Sequence, residues 1–258
     1  MFQHLLQRFS PKSIADPHAS VYRLRWAQAE ADLRAAQKLR FAVFNLEMRE
    51  GLSTSYENGL DSDHFDPVCT HLLVEHLPSK AVVGTYRMQT GTQALAHRGY
   101  YCEQEFDFTP FEALRPLVLE LGRACIHAEH RHFAVLSLLW KGIAQHATDT
   151  GTRYLLGCSS LTSQDPATGW QAYQTLLPQL APEGLRTTPL AHCACAAGPV
   201  PMGAPTKLPK LLSAYLALGA WICGPPAIDR AFKTIDFLTL MDLQSPQMAQ
   251  RRKRFGIG

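Results

Sequence analysis

Three groups of charged residues stand where an apolar pattern would otherwise continue, a fourth lies in a polar loop, and their types suit a reactive cleft. Arg40 follows Ala36 by four residues and precedes Val43 and Phe44 by three and four, so helical spacing puts its guanidinium on the core-facing side. A guanidinium there needs carboxylates or a ligand beside it; the structural alternatives are a snorkelling arginine or a closed pair with Glu47. Asp63 and Asp66 share a polar stretch with Asp61 and His64, where two carboxylates can clamp Arg40 or neutralise a cationic substrate. Arg87 lies in the strand-like run Val82 to Gln89, on the face of Thr85 and Gln89, either as a site cation or as an edge charge. Glu120-Leu121-Gly122-Arg123 interrupts the apolar run Leu117 to Ile126, and Gly122 between two charges suggests a bulge or a close backbone approach. A strand bent there opens a slot for a thioester donor, whose developing oxyanion the free amides stabilise. Glu120 is then placed to take a proton from an attacking amine, directly or through water.

Other chemistries find less support. His127, His130 and His132 cluster without the spacing of a closed ligand set, and His192 with Cys193 and Cys195 offers only half of a four-ligand site, so no metal is expected. Ser159-Ser160 lacks the G-x-S-x-G elbow of a serine nucleophile. Seven cysteines without a repeated spacing, in a chain of 258 residues, fit free thiols in a reducing compartment.

The elements that must position these residues follow from pattern and punctuation. Ala27 to Arg49 reads as a helix ended by Gly51, His71 to Glu75 and Ala81 to Gln89 as a hairpin, and Leu117 to Cys125 as a strand. A helix from Ala134 to Thr148, a strand from Tyr154 to Ser159 and a helix opened by Asp165-Pro166 come next. Residues 178–209, rich in Pro, Gly and Ala, form an irregular insertion; a helix from Leu211 to Leu218 and strands at Ala220 to Cys223 and Ile235 to Met241 complete the order. That order implies an α/β fold with a mixed central sheet flanked by helices over residues 20–242. Residues 1–19 carry Phe2, Leu5, Leu6 and Phe9 at helical spacing, and the tail 243–258 carries the basic run Arg251 to Arg254; the alternatives are a solvated basic tail with a small helix packed on the domain, or ends that meet an acidic carrier protein or anionic lipid. A net charge of +3 gives no argument for nucleic acid, and the longest apolar stretch stops well short of a bilayer span. A cytoplasmic protein, peripheral at the inner membrane face at most, is the expectation.

Leu39 to Phe44 with Glu47, Asp63 with Asp66, Gly84 with Arg87, and Glu120 to Arg123 together resemble the signature of acyl-homoserine-lactone synthases and their relatives among N-acyl amino acid synthases. Leu208 to Leu212, Tyr215 to Ala220, Cys223 to Asp229 and Thr234 to Phe237 are similar to the closing region of the ornithine N-α-acyltransferases of ornithine lipid synthesis. The resemblance implies a GNAT-like acyltransferase fold and transfer of a 3-hydroxyacyl chain from acyl carrier protein to the α-amino group of ornithine, giving lyso-ornithine lipid. It implies no cofactor beyond the phosphopantetheine thioester of the donor. Glu120, Arg123 and Arg40 become the catalytic candidates, Asp63, Asp66, Arg87, Phe44 and Glu47 the substrate-binding ones, and Cys125, Phe133 and Val135 those lining the acyl and pantetheine path. The stretch Arg131 to Leu136 lacks the glycine-rich loop that cradles the pyrophosphate of coenzyme A in the wider group, which suits a carrier protein with one phosphate. Acylation of another amino acid such as glycine, lactone synthesis from S-adenosylmethionine, acetyl transfer from acetyl-coenzyme A, and a non-catalytic, hemolysin-like membrane activity remain as alternatives.

Overall fold

A computed structural model describes residues 21–196 and 207–248. The amphipathic segment expected at 1–19 and the basic run Arg251 to Arg254 lie outside the described residues. Eight strands form one sheet: β1 (Tyr22–Trp26), β2 (Thr70–His76), β3 (Ala81–Thr90), β4 (Val118–Ile126), β5 (Tyr154–Leu161), β6 (Trp221–Ile222), β7 (Ala227–Asp229) and β8 (Thr234–Asp242). Their order is β1-β2-β3-β4-β5-β8-β6, with β7 also pairing β8, and every pairing is antiparallel except that of β4 with β5.

The expected hairpin, the strands carrying Glu120 and Tyr154, and the late strand around Phe237 are present. The expected helix from Ala27 to Arg49 is different. Tyr22, Leu24 and Trp26 alternate with Arg23 and Arg25 as β1, and helix α1 begins only at Glu30 and runs to Arg40. It continues as a wider π-helical stretch, Phe41–Glu47, in which the amide of Met48 reaches back to the carbonyl of Val43 at 2.9 Å. Helix α2 (Gly91–Ala96) is short; α3 (Phe133–Asp149), α4 (Pro166–Leu176) and α5 (Lys210–Leu218) fall where helices were expected. Asp165 caps α4 as expected, its carboxylate accepting from the amides of Ala167 at 3.1 Å and Thr168 at 3.2 Å.

Two apolar layers hold the sheet. Val135, Leu139 and Ile143 of α3 pack with Leu72, Val74, Met88 and Leu119 on one face. On the other, Tyr100, Phe106 and Phe111 from the connection before β4 pack with Val118, Leu156 and Leu238. Within residues 178–209, Ala194 bridges Ala227 and Pro189 bridges Phe106, which seals the second layer with irregular backbone.

Two features of β4 shape the site. Arg87 pairs with Gly122 and Thr85 with Cys125, so Arg123 and Ala124 together stand opposite the single residue Tyr86. This bulge falls one residue after the glycine that suggested it, and Arg123 takes φ +50 to make it. Pairing of β4 with β5 stops at Glu120 with Leu156, although both strands run on. A Cβ at Gly157 would lie 2.2 Å from the carbonyl oxygen of Leu121, so glycine permits the last close approach before the strands part.

Candidate active site

The charged residues that broke the apolar pattern converge on the sheet face beneath α1. Arg40 is fully buried; its Nε donates to Asp61 Oδ2 at 2.9 Å, and one terminal nitrogen donates to Asp66 Oδ2 at 2.6 Å and also reaches the carbonyl of Asp61. Arg87 donates to Asp63 Oδ1 at 2.6 Å and Asp66 Oδ1 at 3.0 Å. Arg123 donates to Asp63 Oδ2 at 2.9 Å, with its Nε 3.4 Å from Asp61 Oδ2. Three arginines and three aspartates therefore alternate in a closed ring, with helix, loop and two strands each supplying members. Burial opposes ionisation of Asp63 and Asp66, yet the facing guanidiniums, Arg87 and Arg123 for the first and Arg40 and Arg87 for the second, hold both carboxyls below the usual range. Of the two roles open to this pair, the clamp on arginine is the one the geometry realises, and Arg87 is an interior residue between β2 and β4 rather than an edge charge.

Aromatic rings cover the ring of charges. Arg87 lies over Phe65 at 5.5 Å and Tyr101 at 5.6 Å, while Arg123 sits 4.8 Å from the Tyr101 centroid and 4.3 Å from that of Phe232. Above them opens a cleft of about 420 Å3, lined among others by Asp63, Tyr101, Arg123, Glu105, Asp229 and Arg230.

Residues 39–141 match the acetyltransferase (GNAT) domain family. The chain is 34% identical to the L-ornithine N(alpha)-acyltransferase of Rhodobacter capsulatus over 247 residues, 91% of this chain and 94% of the relative. It is 32% identical to that of Brucella abortus, over 86% of this chain and 84% of the relative. The chain belongs to the L-ornithine N(alpha)-acyltransferase family. Among solved structures, the AHL synthase LasI is similar at a TM-score of 0.53 with 12% identity, covering 91% of this chain and 95% of that one. FeeM, an N-acyl amino acid synthase from uncultured soil microbes, is similar at 0.53 with 11% identity, covering 90% and 93%. These two likenesses show the fold, a GNAT-like sheet flanked by helices.

Within this acyltransferase scaffold the remaining expected residues disperse. Glu120 is 6% exposed, and its carboxylate accepts from the amides of Tyr101 at 2.9 Å and Cys102 at 2.8 Å, outside the lining of the cleft. Burial raises its pKa, and those two amides pull against the rise. Glu47 does not meet Arg40; it accepts from Arg131 at 2.5 and 2.7 Å on the surface, because the π-helical stretch turns it outward. Phe44 packs edge-on against Phe232 at 5.3 Å, in an apolar cluster with Cys125 beside the charged ring. Val135 is a core residue on the opposite face of the sheet, 3.0 Å from where Gly84 would carry a Cβ, and Phe133 is half exposed at the start of α3. Cys125 and Val135 thus lie on opposite faces, so the three residues expected along the acyl path do not line one surface.

Sequence reasoning missed the acidic wall. Glu105 and Asp236 are each 3% exposed, and Glu105 Oε1 and Asp236 Oδ1 receive no hydrogen bond. Glu105, Asp236 and Cys158 bring potential ligand atoms within 4.8 Å of one another. Burial, then the neighbouring Asp236 and Asp229, pushes Glu105 well above the usual carboxylate range; burial likewise pushes Asp236 up to about 6. Asp229 accepts from the amide of Phe232 at 2.8 Å and the hydroxyl of Tyr101 at 2.6 Å. Glu105 sits in an irregular connection, where no periodicity marks which side chains turn inward. The available signal was Asp229 and Asp236, each a charge within a buried strand, one of three residues and one of nine. His127, Glu129 and His130 bring potential ligand atoms within 4.8 Å of one another at the end of β4, away from this wall.

Proposed function

We propose that this protein transfers a 3-hydroxyacyl chain from the thioester of acyl carrier protein to the α-amino group of ornithine, giving lyso-ornithine lipid. The observation that carries the reading is the parting of β4 from β5 beyond Glu120 and Leu156 beside a cleft with an acidic wall. A thioester entering along that parting meets β4 backbone groups that lie outside the ladder, where amides can stabilise a developing oxyanion. The neutral α-amine, held in the cleft, attacks the carbonyl carbon. A C–N bond forms, the C–S bond breaks, and the departing thiolate takes up the proton the amine gives away. Direct aminolysis needs no enzyme nucleophile, and burial pushes the thiols of Cys125 and Cys158 far above the range in which a thiolate is available.

The charged ring fixes Arg123 and, through ring stacking, Tyr101 at the cleft floor. Glu120 acts in this reading as a positioning residue, holding the segment Tyr101–Gln104 by two amides. The absence of glycine from Arg131 to Leu136 favours the single phosphate of a carrier-bound pantetheine over the pyrophosphate of coenzyme A. Contact with a membrane surface would be the work of the two chain ends; among the described residues no helix is long and apolar enough to cross a bilayer.

The test offers purified protein ornithine with 3-hydroxyacyl carrier protein or the matching coenzyme A thioester, and reads products by mass spectrometry. Amide-linked acyl-ornithine formed from the carrier protein is the expected result. A homoserine lactone made from S-adenosylmethionine, or no acylated amino acid with either donor, overturns it.

A further inference from the structure

An acceptor of this kind carries a second amine, and the charged ring offers it little attraction: Asp61 Oδ1 has no hydrogen bond, but each of the three aspartates already faces two arginines, so the ring has no net negative charge. The acidic wall differs. Glu105 lines the cleft yet is 3% exposed, and neither its Oε1 nor Oδ1 of Asp236 behind it receives a hydrogen bond. The thiol of Cys158 points at Glu105 Oε2 from 3.8 Å, a weak donor at a long distance. Asp229 adds a third carboxyl, tied to Phe232 and Tyr101 by neutral donors alone. Among the described residues none of these three acids is in an ion pair, and the nearby Arg230 donates instead to the carbonyl of His192 at 2.6 Å.

Buried carboxyl oxygens that are left over, in a group of acids met by neutral donors alone, call for a ligand that brings donors and positive charge. An alkylammonium has three N–H groups and no acceptor, and its charge offsets the desolvation of the carboxylates. We infer that Glu105, backed by Asp236 and flanked by Asp229, receives the side-chain ammonium of the acceptor and so selects a diamino acid such as ornithine over neutral amino acids. The inference rests on the acyltransferase reading above and deepens it. Burial and the neighbouring carboxyls raise the proton affinity of Glu105 and Asp236, and a nearby ammonium would favour their ionised forms.

The experiment compares ornithine with norvaline, which has the same carbon chain but lacks the δ-amine, using full-length protein and a 3-hydroxyacyl donor. Wild type is expected to favour ornithine in kcat/KM by about ten-fold or more, the scale of hydrogen bonds to a charged group. Glu105→Gln is expected to collapse the ornithine-to-norvaline ratio by a similar factor, through the ornithine KM. Equal use of both acceptors by wild type overturns the inference while leaving acyl transfer intact, and it needs no variant that has to fold. A ratio unchanged in Glu105→Gln overturns it too, as does stoichiometric zinc in the purified protein that the substitution removes. Acylation of neither acceptor by wild type sinks the acyltransferase reading itself.

Discussion

Arg123 Nε lies 3.4 Å from Asp61 Oδ2, and this contact closes the chain of alternating charges that joins α1, the following loop, β3 and β4. Around that circuit every aspartate touches two arginines and every arginine two aspartates. The charges balance, so the cluster can be buried without a residual net charge. It also holds Arg123 in its left-handed backbone conformation, which side chains other than glycine adopt at some energetic cost.

Removing one member leaves its partners buried and unpaired. Asp66→Ala strips a carboxylate from both Arg40 and Arg87, and a loss of about 3–5 kcal/mol in unfolding free energy is expected. Replacing Asp66 by Leu together with Arg40 by Met removes opposite charges at once. The double variant should lose clearly less than the sum of its single substitutions in urea titrations.

The pH dependence has two parts of opposite sign. Asp63 and Asp66 titrate below their ordinary value of 3.8 when folded, so the stability they confer is full above that value and drains away as pH falls through it. Asp236 is raised from 3.8 to about 6, so the stability it confers is full below 3.8 and lost as pH climbs through about 6. Asp236→Asn should therefore make the decline in urea midpoint between about pH 4 and pH 6 shallower, the remainder belonging to Glu105, while leaving the acid limb in place.

The strand bearing Glu120 and the burial of Arg40, Arg87 and Arg123 were legible in sequence because each sets a charge against a regular apolar pattern, whereas Asp63 and Asp66, in a polar loop, were read as their partners from carboxylate chemistry and from the family resemblance. Burial in a periodic element forces such a charge to find a partner. Glu105 was not legible, since a 3-10 connection has no face to violate. β1 was hidden for a different reason: five residues ending beside a helix start give period-two alternation too little length to stand out. Glu47 misled because the π-helical stretch adds a residue per turn, and a projection at ordinary helical pitch places its side chain on the wrong side.

That misplacement has a measurable consequence. Glu47 and Arg131 form a pair whose side chains are 39% and 42% exposed, so solvent screens it. Glu47→Ala should change unfolding free energy by less than about 1 kcal/mol and leave the acceptor KM where it is. A rise in the ornithine KM on this substitution would return Glu47 to the cleft.

Glu120 separates two kinds of role. Each of its oxygens accepts a backbone amide, whereas glutamine has one acceptor oxygen and sets a second donor against the other amide. Glu120→Gln should therefore destabilise the fold by about 1–3 kcal/mol. Because Tyr101 stacks on Arg123 and donates to Asp229, loosening its amide disturbs the cleft, and the acceptor KM should rise along with a lower kcat. A residue that took the proton in the reaction would behave differently. Its replacement would leave stability and KM alone, and would abolish the limb of the kcat against pH profile that reports its ionisation. Retention of that limb in the glutamine variant, at reduced amplitude, is the outcome expected of a side chain whose work is to hold a segment in place.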